Sequence, residues 1–357
     1  MSHIEKAQQI LLENNVDGLF ISSPLQIGYV TNFFGISPTE RESFVFVTKK
    51  ACYILTSPLY FEDIKKTSPD CIAIELSPEL SWVDAIAQIV NKEHLQKIGF
   101  EEYNLTVYEF KYLTSKVANL IPVHIKNLRE IKDLVEIEAI KKACQIGDEA
   151  FTKILDIIKP GISELDIAFE LENIMRKHRA IPSFPTIVAF GAHAAVPHHK
   201  SSENILEKNN FVLMDFGVQI SNYCSDMTRT IYVGNISQEE KKLYQTVKDA
   251  QKKAFEYIQI NSSHALGKEA DKIAREYIVS QGYPQFPHSL GHGIGLEVHE
   301  TPSLSPYSQD VLKNGMVFSI EPGIYLPNKT GVRIEDLVAI TSSAEELTLS
   351  SKDLIII

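Results

Sequence analysis

The sequence predicts an α/β domain followed by a larger α+β domain in which one structural unit occurs twice. Three observations support this. The length of 357 residues exceeds one ordinary domain. Strand patterns alternate with helical patterns in the first third of the chain, which is typical of an α/β domain. After residue 128, two helical segments followed by an acidic hairpin occur twice, which indicates an internal pseudo-twofold.

The first domain is predicted from short alternating elements. Helices are expected at 3–14, 24–32, 58–66 and 80–92, and strands at 16–22, 43–47, 51–56, 71–76 and 97–100. This part of the sequence has no Gly-rich phosphate loop and no cluster of histidines and acids. The chemistry is therefore expected in the second domain.

The second domain is expected to open with a long helix from Leu128 to about Ile158, which Pro160-Gly161 ends. Ser163 has the position of an N-cap for a second helix that runs to about His178. Further elements are a strand at 184–191, a loop at 197–200, and helices at about 237–260 and 267–281.

The first acidic hairpin carries Asp215 and Asp226. If its turn is centred on Ile220 and Ser221, the two carboxylates face each other across an antiparallel pair. Like charges placed opposite each other destabilise a sheet, so a cation is expected between them. The alternative is a longer loop in which each Asp caps a turn.

The second hairpin repeats this arrangement with Glu321 and Glu335, which face each other if the turn is centred on Asn328. A Gly-rich segment with His292 and His299 lies between the two hairpins. Four acids and one histidine form an oxygen-rich ligand set. Such a set suits Mn, Co, Zn or Fe(II) better than a thiolate-type structural zinc site does.

Composition excludes several classes of function. The net charge of −11 argues against a nucleic-acid or anionic-membrane partner, because both require basic patches. The four cysteines are scattered, which is typical of buried thiols in a reducing compartment, and Cys224 near Asp226 is interpreted as a packing residue. No leader and no apolar run of roughly 18 residues is present, so a cytoplasmic protein is expected.

Five motifs occur in a characteristic order, and together they carry a family resemblance. They are Met214-Asp215-Phe216-Gly217, Ser225-Asp226-Met227-Thr228-Arg229-Thr230, Gly291-His292-Gly293-Ile294-Gly295 with His299-Glu300, Ile320-Glu321-Pro322-Gly323-Ile324-Tyr325, and Arg333-Ile334-Glu335-Asp336. The chain resembles the pita-bread metallopeptidases of the Xaa-Pro peptidase branch, meaning prolidase (Xaa-Pro dipeptidase) or aminopeptidase P.

The resemblance covers nearly the whole chain and implies its domain organisation. Residues 1–127 would form a creatinase-type N-terminal domain, and residues 128–357 the pita-bread catalytic domain. The family also implies a homodimer. One departure from the usual family wording is Phe190, at a place where a small residue is frequent. It is expected to change the shape of the pocket wall.

The resemblance implies two divalent metal ions per chain, with Mn favoured and Co, Zn or Fe as alternatives. Asp215 would bind one ion, and Asp226 and Glu335 would bridge both. His292 and Glu321 would complete the shell of the other ion. All five ligand positions of the family are filled in this sequence.

The resemblance also implies catalytic roles. Glu321 would transfer a proton from the attacking water to the leaving nitrogen, while His299 and His198 would lie beside the substrate. Arg333 and Thr228 are expected to hold ligand carboxylates. Three other histidines are expected to be exposed or satisfied in the core: His193, His199 and His288. For His288, a place in the pocket wall is the alternative.

The implied function is metal-dependent hydrolysis of the peptide bond before proline, in Xaa-Pro dipeptides or in longer peptides with proline second. Two alternatives are a methionine aminopeptidase-type exopeptidase and a non-catalytic pita-bread protein that binds peptides. A creatinase-like hydrolase shares both domains but lacks the acidic ligand set. The motifs do not separate a dipeptidase from an aminopeptidase P.

Overall fold

A computed structural model describes residues 1–357 of the chain, apart from the side chain of Ser263. Its contacts divide the chain into two compact units, Met1–Leu128 and Arg129–Ile357. Among the described residues, no helix is both long enough and apolar enough to cross a membrane.

The first unit contains one sheet of six strands in the order β4-β3-β2-β1-β5-β6. The strands are β1 (Gly18–Ile21), β2 (Ser43–Thr48), β3 (Cys52–Thr56), β4 (Ile72–Glu75), β5 (Ile98–Glu101) and β6 (Leu120–Val123). The helices are α1 (His3–Glu13), α2 (Pro24–Thr31), α3 (Pro58–Thr67), α4 (Trp82–Glu93) and α5 (Val107–Thr114). The α/β prediction is confirmed. The sequence reading omitted only α5 and β6.

The core of the first unit lies between this sheet and helix α4. Ser81 caps α4 by accepting a hydrogen bond from the backbone N–H of Asp84, and the next residue, Trp82, stacks on Phe20 of β1 with ring centroids 5.1 Å apart. Offset aromatic pairs add about 0.5–1.5 kcal/mol beyond the apolar area they bury. The α4 residues Val83 and Ile86 are fully buried, so one face of the helix fixes it to the sheet.

The second unit begins its regular structure at α6. Its helices are α6 (Leu134–Ile154), α7 (Glu164–Lys177), α8 (Gln238–Asn261) and α9 (Gly267–Ser280). Its strands are β7 (Ile181–Pro182), β8 (Ile187–Phe190), β9 (Asn210–Phe216), β10 (Val218–Ile220), β11 (Tyr223–Cys224), β12 (Met227–Val233), β13 (Gly291–Gly293), β14 (Glu300–Leu304), β15 (Val317–Ile320), β16 (Gly323–Leu326), β17 (Thr330–Arg333), β18 (Asp336–Ile340) and β19 (Ala344–Glu346). Short 3-10 turns span Lys126–Arg129, Gly191–Ala195 and Ser262–His264.

The predicted start of the long helix at Leu128 is wrong, because α6 begins at Leu134. The side chain of Asp133 accepts hydrogen bonds from the backbone N–H groups of Val135 and Glu136, both at 2.9 Å. Glu136 reaches back to the N–H of Asp133 at 2.8 Å and completes a capping box. This start signal is stronger than the apolar periodicity that extends upstream of it.

The predicted repeat of two helices and an acidic hairpin is confirmed in the order of the elements. Helices α6 and α7 share a core with β8, β9 and β12, while α8 and α9 share a second core with the strands β15 to β18. In β9, Phe211 belongs to one core and Val212 to the other. A strand buried on both faces reads as a continuous apolar run, which explains the residues before Asp215.

The predicted register of the first hairpin is wrong by two residues. Asp215 pairs with Thr228, not with Asp226, because the turn is centred on Ser221 and Asn222. Both turn residues have positive φ, 51° and 69°. Two-residue hairpin turns require such angles, which Asn tolerates and which the β-branched Ile220 of the predicted turn would resist.

The predicted centre of the second hairpin is confirmed. Gly323 pairs with Arg333 and Leu326 with Thr330, so Asn328 is central, and its φ is 60°. The pairing is interrupted at Glu321 and Glu335. Beyond this interruption, β15 pairs with β18 in the same register. The hairpin is therefore made of two short strand pairs, and both acids lie at the break between them.

Candidate metal centre

The structure brings the five predicted ligand residues to one cavity of about 690 Å³ in the second unit. Asp215 and His292 lie within paired strands, β9 and β13. Asp226 precedes β12, Glu321 follows β15 and Glu335 precedes β18. All five residues are therefore on a sheet or next to one, where the core holds the backbone rigid. The sheet thereby directs five polar side chains to one point.

The ligand atoms lie close together. Atoms of Asp226, His292 and Glu335 all lie within 4.8 Å of one another. The Nε2 of His292 is 3.2 Å from Oε1 of Glu321 and 3.8 Å from Oδ2 of Asp226. These separations would let the side chains share a cation.

The buried carboxylates fit a divalent metal. Among the described side chains, Oδ1 of Asp215, Oδ1 of Asp226 and Oε1 of Glu335 are buried without a hydrogen-bond partner. Burial, reinforced by neighbouring carboxylates, raises the pKa of Asp226 and of Glu335 well above their usual values. A cation coordinated by these free oxygens would offset both the cost of burying the carboxylates and the repulsion between them.

Arg333 and Thr228 hold the carboxylates from behind. The guanidinium of Arg333 donates to Oδ2 of Asp215 at 2.5 Å, and its Nε donates to Oγ1 of Thr228 at 3.0 Å. Thr228 in turn donates to Oε2 of Glu335 at 2.7 Å. This chain of contacts fixes two ligand residues on separate strands and leaves their other oxygens free for a metal. It agrees with the contacts expected from the sequence.

The Gly-rich segment is explained by close packing around His292. A Cβ atom at Gly291 would lie 1.9 Å from the carbonyl oxygen of Ser319, and one at Gly293 would lie 2.1 Å from that of Thr301. Strand β13 pairs with both β14 and β15, and only glycine allows this approach. The two glycines therefore determine how far His292 enters the cavity.

Besides His292, four histidines line the cavity: His198, His199, His288 and His299. The ring of His299 packs edge-on against that of His292, with centroids 4.3 Å apart. His199 had been expected to be exposed or satisfied in the core, but it lines the cavity. His288, for which the pocket wall was the alternative to an exposed or core position, lies in the cavity wall. Its Nε2 is 2.8 Å from the hydroxyl of Tyr325. The sequence offers no spacing signal for His288, because it precedes the Gly-rich motif without a pattern of its own.

One side of the cavity is apolar, and sequence reasoning did not identify these residues. They include Leu165, Ala168, Phe169, Phe184, Pro185 and Ile187. Phe169 is 58% exposed although it is a large apolar side chain. By contrast, the expectation that Phe190 shapes the pocket wall is wrong. Phe190 is buried in the core of α6 and α7 and does not line the cavity.

Cys224 does not join the ligand cluster. Its thiol is buried and donates to the carbonyl oxygen of Leu296 at 3.6 Å, and burial raises its pKa to about 12. A thiol with this pKa stays protonated at neutral pH. The interpretation as a packing residue agrees with this environment.

Known proteins match both units. Residues 138–342 match the model of metallopeptidase family M24, and residues 3–131 match the Creatinase/Prolidase N-terminal domain. A curated relative, the Xaa-Pro dipeptidase of Pyrococcus furiosus, is 38% identical over 357 residues, which cover 99% of each chain.

Solved structures agree with these matches. The chain is similar to an Xaa-Pro dipeptidase from Bacillus anthracis, with a TM-score of 0.92 and 38% identity over 99% of each chain. It is also similar to an X-Pro aminopeptidase from Thermotoga maritima, with a TM-score of 0.87 and 32% identity over 100% of each chain. Both family models match in order, and the four motif acids and one motif histidine meet in one cavity. The chain therefore belongs to metallopeptidase family M24 and carries a Creatinase/Prolidase N-terminal domain.

Proposed function

We propose that the chain hydrolyses the peptide bond before proline in Xaa-Pro dipeptides. The observation that carries this proposal is the cluster of buried carboxylates with free oxygens, at a cavity that also has an apolar wall. The substrate is inferred from relatives that are named Xaa-Pro dipeptidase or X-Pro aminopeptidase. The cavity offers an apolar surface for a pyrrolidine ring and acids for a free ammonium group.

Two divalent ions would be held by Asp215, Asp226, His292, Glu321 and Glu335, with Asp226 and Glu335 as the bridging pair. Bound ions of this kind lower the pKa of a water molecule and polarise a carbonyl group. Mn is favoured because four of the five ligand residues are carboxylates, which suit hard cations.

The protein's own residues would supply the proton transfers. The bond before proline is a tertiary amide without an N–H, and its leaving group is a secondary amine that must be protonated. We assign Glu321 to carry the proton, since it lies at the cluster and Ser319 donates to its Oε1 at 3.0 Å. His198 and His299 would hydrogen-bond the reacting carbonyl oxygen or the scissile nitrogen.

Family membership also suggests a homodimer with a cytoplasmic location. The catalytic residues assigned above all belong to residues 128–357, which we propose as the catalytic domain. The mass in solution, measured by light scattering at several concentrations, tests the assembly.

A panel of four peptides tests the function. Metal-loaded protein should cleave Ala-Pro and leave Ala-Ala intact, and Ala-Pro-Ala reports whether longer peptides are accepted. Rapid cleavage of Met-Ala-Ser with both proline peptides spared would identify a methionine aminopeptidase instead. No cleavage of any peptide, by protein that binds metal, would support the peptide-binding alternative.

A further inference from the structure

A second polar cluster lies beside the cavity and is centred on Glu164. Its carboxylate is fully buried at the first position of α7. His193 and His199 both face this carboxylate, and His199 also lines the cavity. None of the proposed metal ligands belongs to this cluster.

The carboxylate of Glu164 accepts six hydrogen bonds, all from residues 190–204. One oxygen, Oε1, accepts from the backbone N–H of Phe190 (3.0 Å), Nδ1 of His193 (2.8 Å) and the amide of Asn204 (3.2 Å). The other, Oε2, accepts from Nε2 of His199 (2.9 Å) and from the backbone N–H (3.1 Å) and hydroxyl (2.7 Å) of Ser202.

These contacts argue against a third metal site. A carboxylate has about four lone-pair sites, and the donors of the protein already occupy them. Burial disfavours the charge of Glu164, but hydrogen bonds led by those of His199 and Ser202 outweigh it, so its pKa lies below the usual value. A bound cation would have to displace hydrogen bonds that this ionised carboxylate already accepts.

The segment that Glu164 holds is the one that carries His198. Pro197 and His198 line the cavity, between His193 and His199 in the chain. The other side of the segment is also constrained. The guanidinium of Arg333 donates to the carbonyl oxygen of Pro197 at 3.4 Å, and Gly331 packs so closely on Ala194 that a Cβ atom there would lie 1.9 Å from its carbonyl oxygen.

We propose that Glu164 is a positioning residue, which fixes residues 190–204 and so holds His198 where it meets the substrate. This role rests on the proposed function, in which His198 contacts the scissile bond. Six hydrogen bonds between one buried carboxylate and a segment of fifteen residues constrain the path of that segment. Displacements of about 1 Å in an active site can reduce activity about 100-fold.

Glu164→Gln is the most informative variant. It keeps the size of the side chain but replaces one acceptor oxygen with an NH₂ donor. In either orientation of the amide, its NH₂ group faces a backbone N–H, that of Phe190 or that of Ser202. Both groups are donors, so one hydrogen bond is lost and two donors are placed against each other. Asp166→Asn is the matched control. It weakens the cap of the same helix at Ser163, but Asp166 is exposed and its hydrogen bonds go only to Ser163.

Hydrogen exchange followed by mass spectrometry tests the constraint without using activity. Glu164→Gln should speed exchange in residues 190–204 by at least about tenfold, whereas Asp166→Asn should not change it. Unchanged exchange in a folded Glu164→Gln protein would overturn the proposal. If that variant does not fold, Asn204→Ala removes a single donor, the side-chain amide that bonds Oε1 of Glu164, and should give the same change to a smaller degree. Unchanged exchange there would overturn the proposal as well.

A double-mutant cycle tests the link to His198. Glu164→Gln should lower kcat/KM for Ala-Pro by about 100-fold in the wild-type background. It should lower kcat/KM less than about threefold in His198→Ala protein, because the residue it positions is then absent. Equal losses in both backgrounds would show that Glu164 acts independently of His198. If the wild-type protein does not cleave Ala-Pro but Glu164→Gln still speeds exchange in residues 190–204, the proposed substrate is wrong. The constraint by Glu164 would then still hold.

Discussion

At the residue scale, the hydroxyl of Thr228 links Arg333 to Glu335. Thr228→Val keeps the shape of the side chain but leaves Oε2 of Glu335 without its donor. We expect metal affinity and kcat to fall about 10-fold to 100-fold, as for other groups that orient a metal ligand. Metal titration by calorimetry and steady-state kinetics measure both effects.

Thr230→Val is the matched control for this prediction. Thr230 is buried in the same strand, and its hydroxyl bonds only the backbone of Arg333, donating to the carbonyl oxygen at 2.9 Å. It should destabilise the protein by about 1 kcal/mol without a specific loss of metal. Equal losses of metal in the two variants would contradict the role given to Thr228.

The proposed bridging ligands Asp226 and Glu335 should be less tolerant of change than His198, which is not a proposed metal ligand. Asp226→Asn and Glu335→Gln each weaken the binding of two ions, whereas His198→Gln affects only contacts with the substrate. We expect the first two variants to lose bound metal and the third to keep it. Elemental analysis after gel filtration measures this, and full metal content in Asp226→Asn would remove that residue from the bridge.

At the element scale, buried ion pairs attach strand β14 to the segment before α6. Glu300 accepts from Nζ of Lys132 and from Nε of Arg129, both at 3.0 Å, and the side chains of Lys132 and Glu300 are 1% and 3% exposed. Lys132→Met leaves Glu300 with a single cation. We expect the free energy of unfolding to fall by about 3 kcal/mol, measured by urea denaturation.

An exposed pair provides the control. Lys153→Met removes a partner of Glu149 on the surface of α6, where both side chains are more than 40% exposed. That change should cost less than about 1 kcal/mol. Similar losses for the two lysines would show that burial does not determine the cost.

The buried pair of Lys132 and Glu300 predicts how the stability of the fold depends on pH. Burial raises the pKa of Glu300, but the charges of Lys132 and Arg129 outweigh it and lower the pKa overall. A carboxyl group with a lowered pKa stabilises the folded state above its unfolded pKa of about 4.3, and this contribution is lost as pH falls through the folded value. The penalty of Lys132→Met should therefore be largest at neutral pH and shrink as pH falls below about 4.3. A penalty independent of pH would contradict this account.

Elements were predictable from sequence where the local signal was strong. Asn328 determined the second hairpin, because a left-handed residue between two apolar runs allows one register. The predicted register of the first hairpin was wrong because it was chosen from the facing charges. The choice between a turn at Ile220 and Ser221 and a turn at Ser221 and Asn222 depends on φ preferences instead. The role of Glu164 was not visible at all, since its six donors are brought together only by the tertiary fold.

At the scale of the whole molecule, metal binding should stabilise the fold. An ion that binds only the native state adds about 2.7 kcal/mol when its concentration is 100 times its Kd. Chelation should therefore lower the Tm of the wild-type protein, and Mn should restore it. Asp226→Asn should show little change on chelation; a normal response in that variant would place the stabilising ion elsewhere.

The most direct test of the central claim is a titration of metal-free protein with Mn, in which the cleavage of Ala-Pro and the bound metal are measured together. A dinuclear site predicts no cleavage in metal-free protein and a plateau of activity at two ions per chain. Cleavage by metal-free protein, or binding of two ions without cleavage of Ala-Pro, would contradict the account.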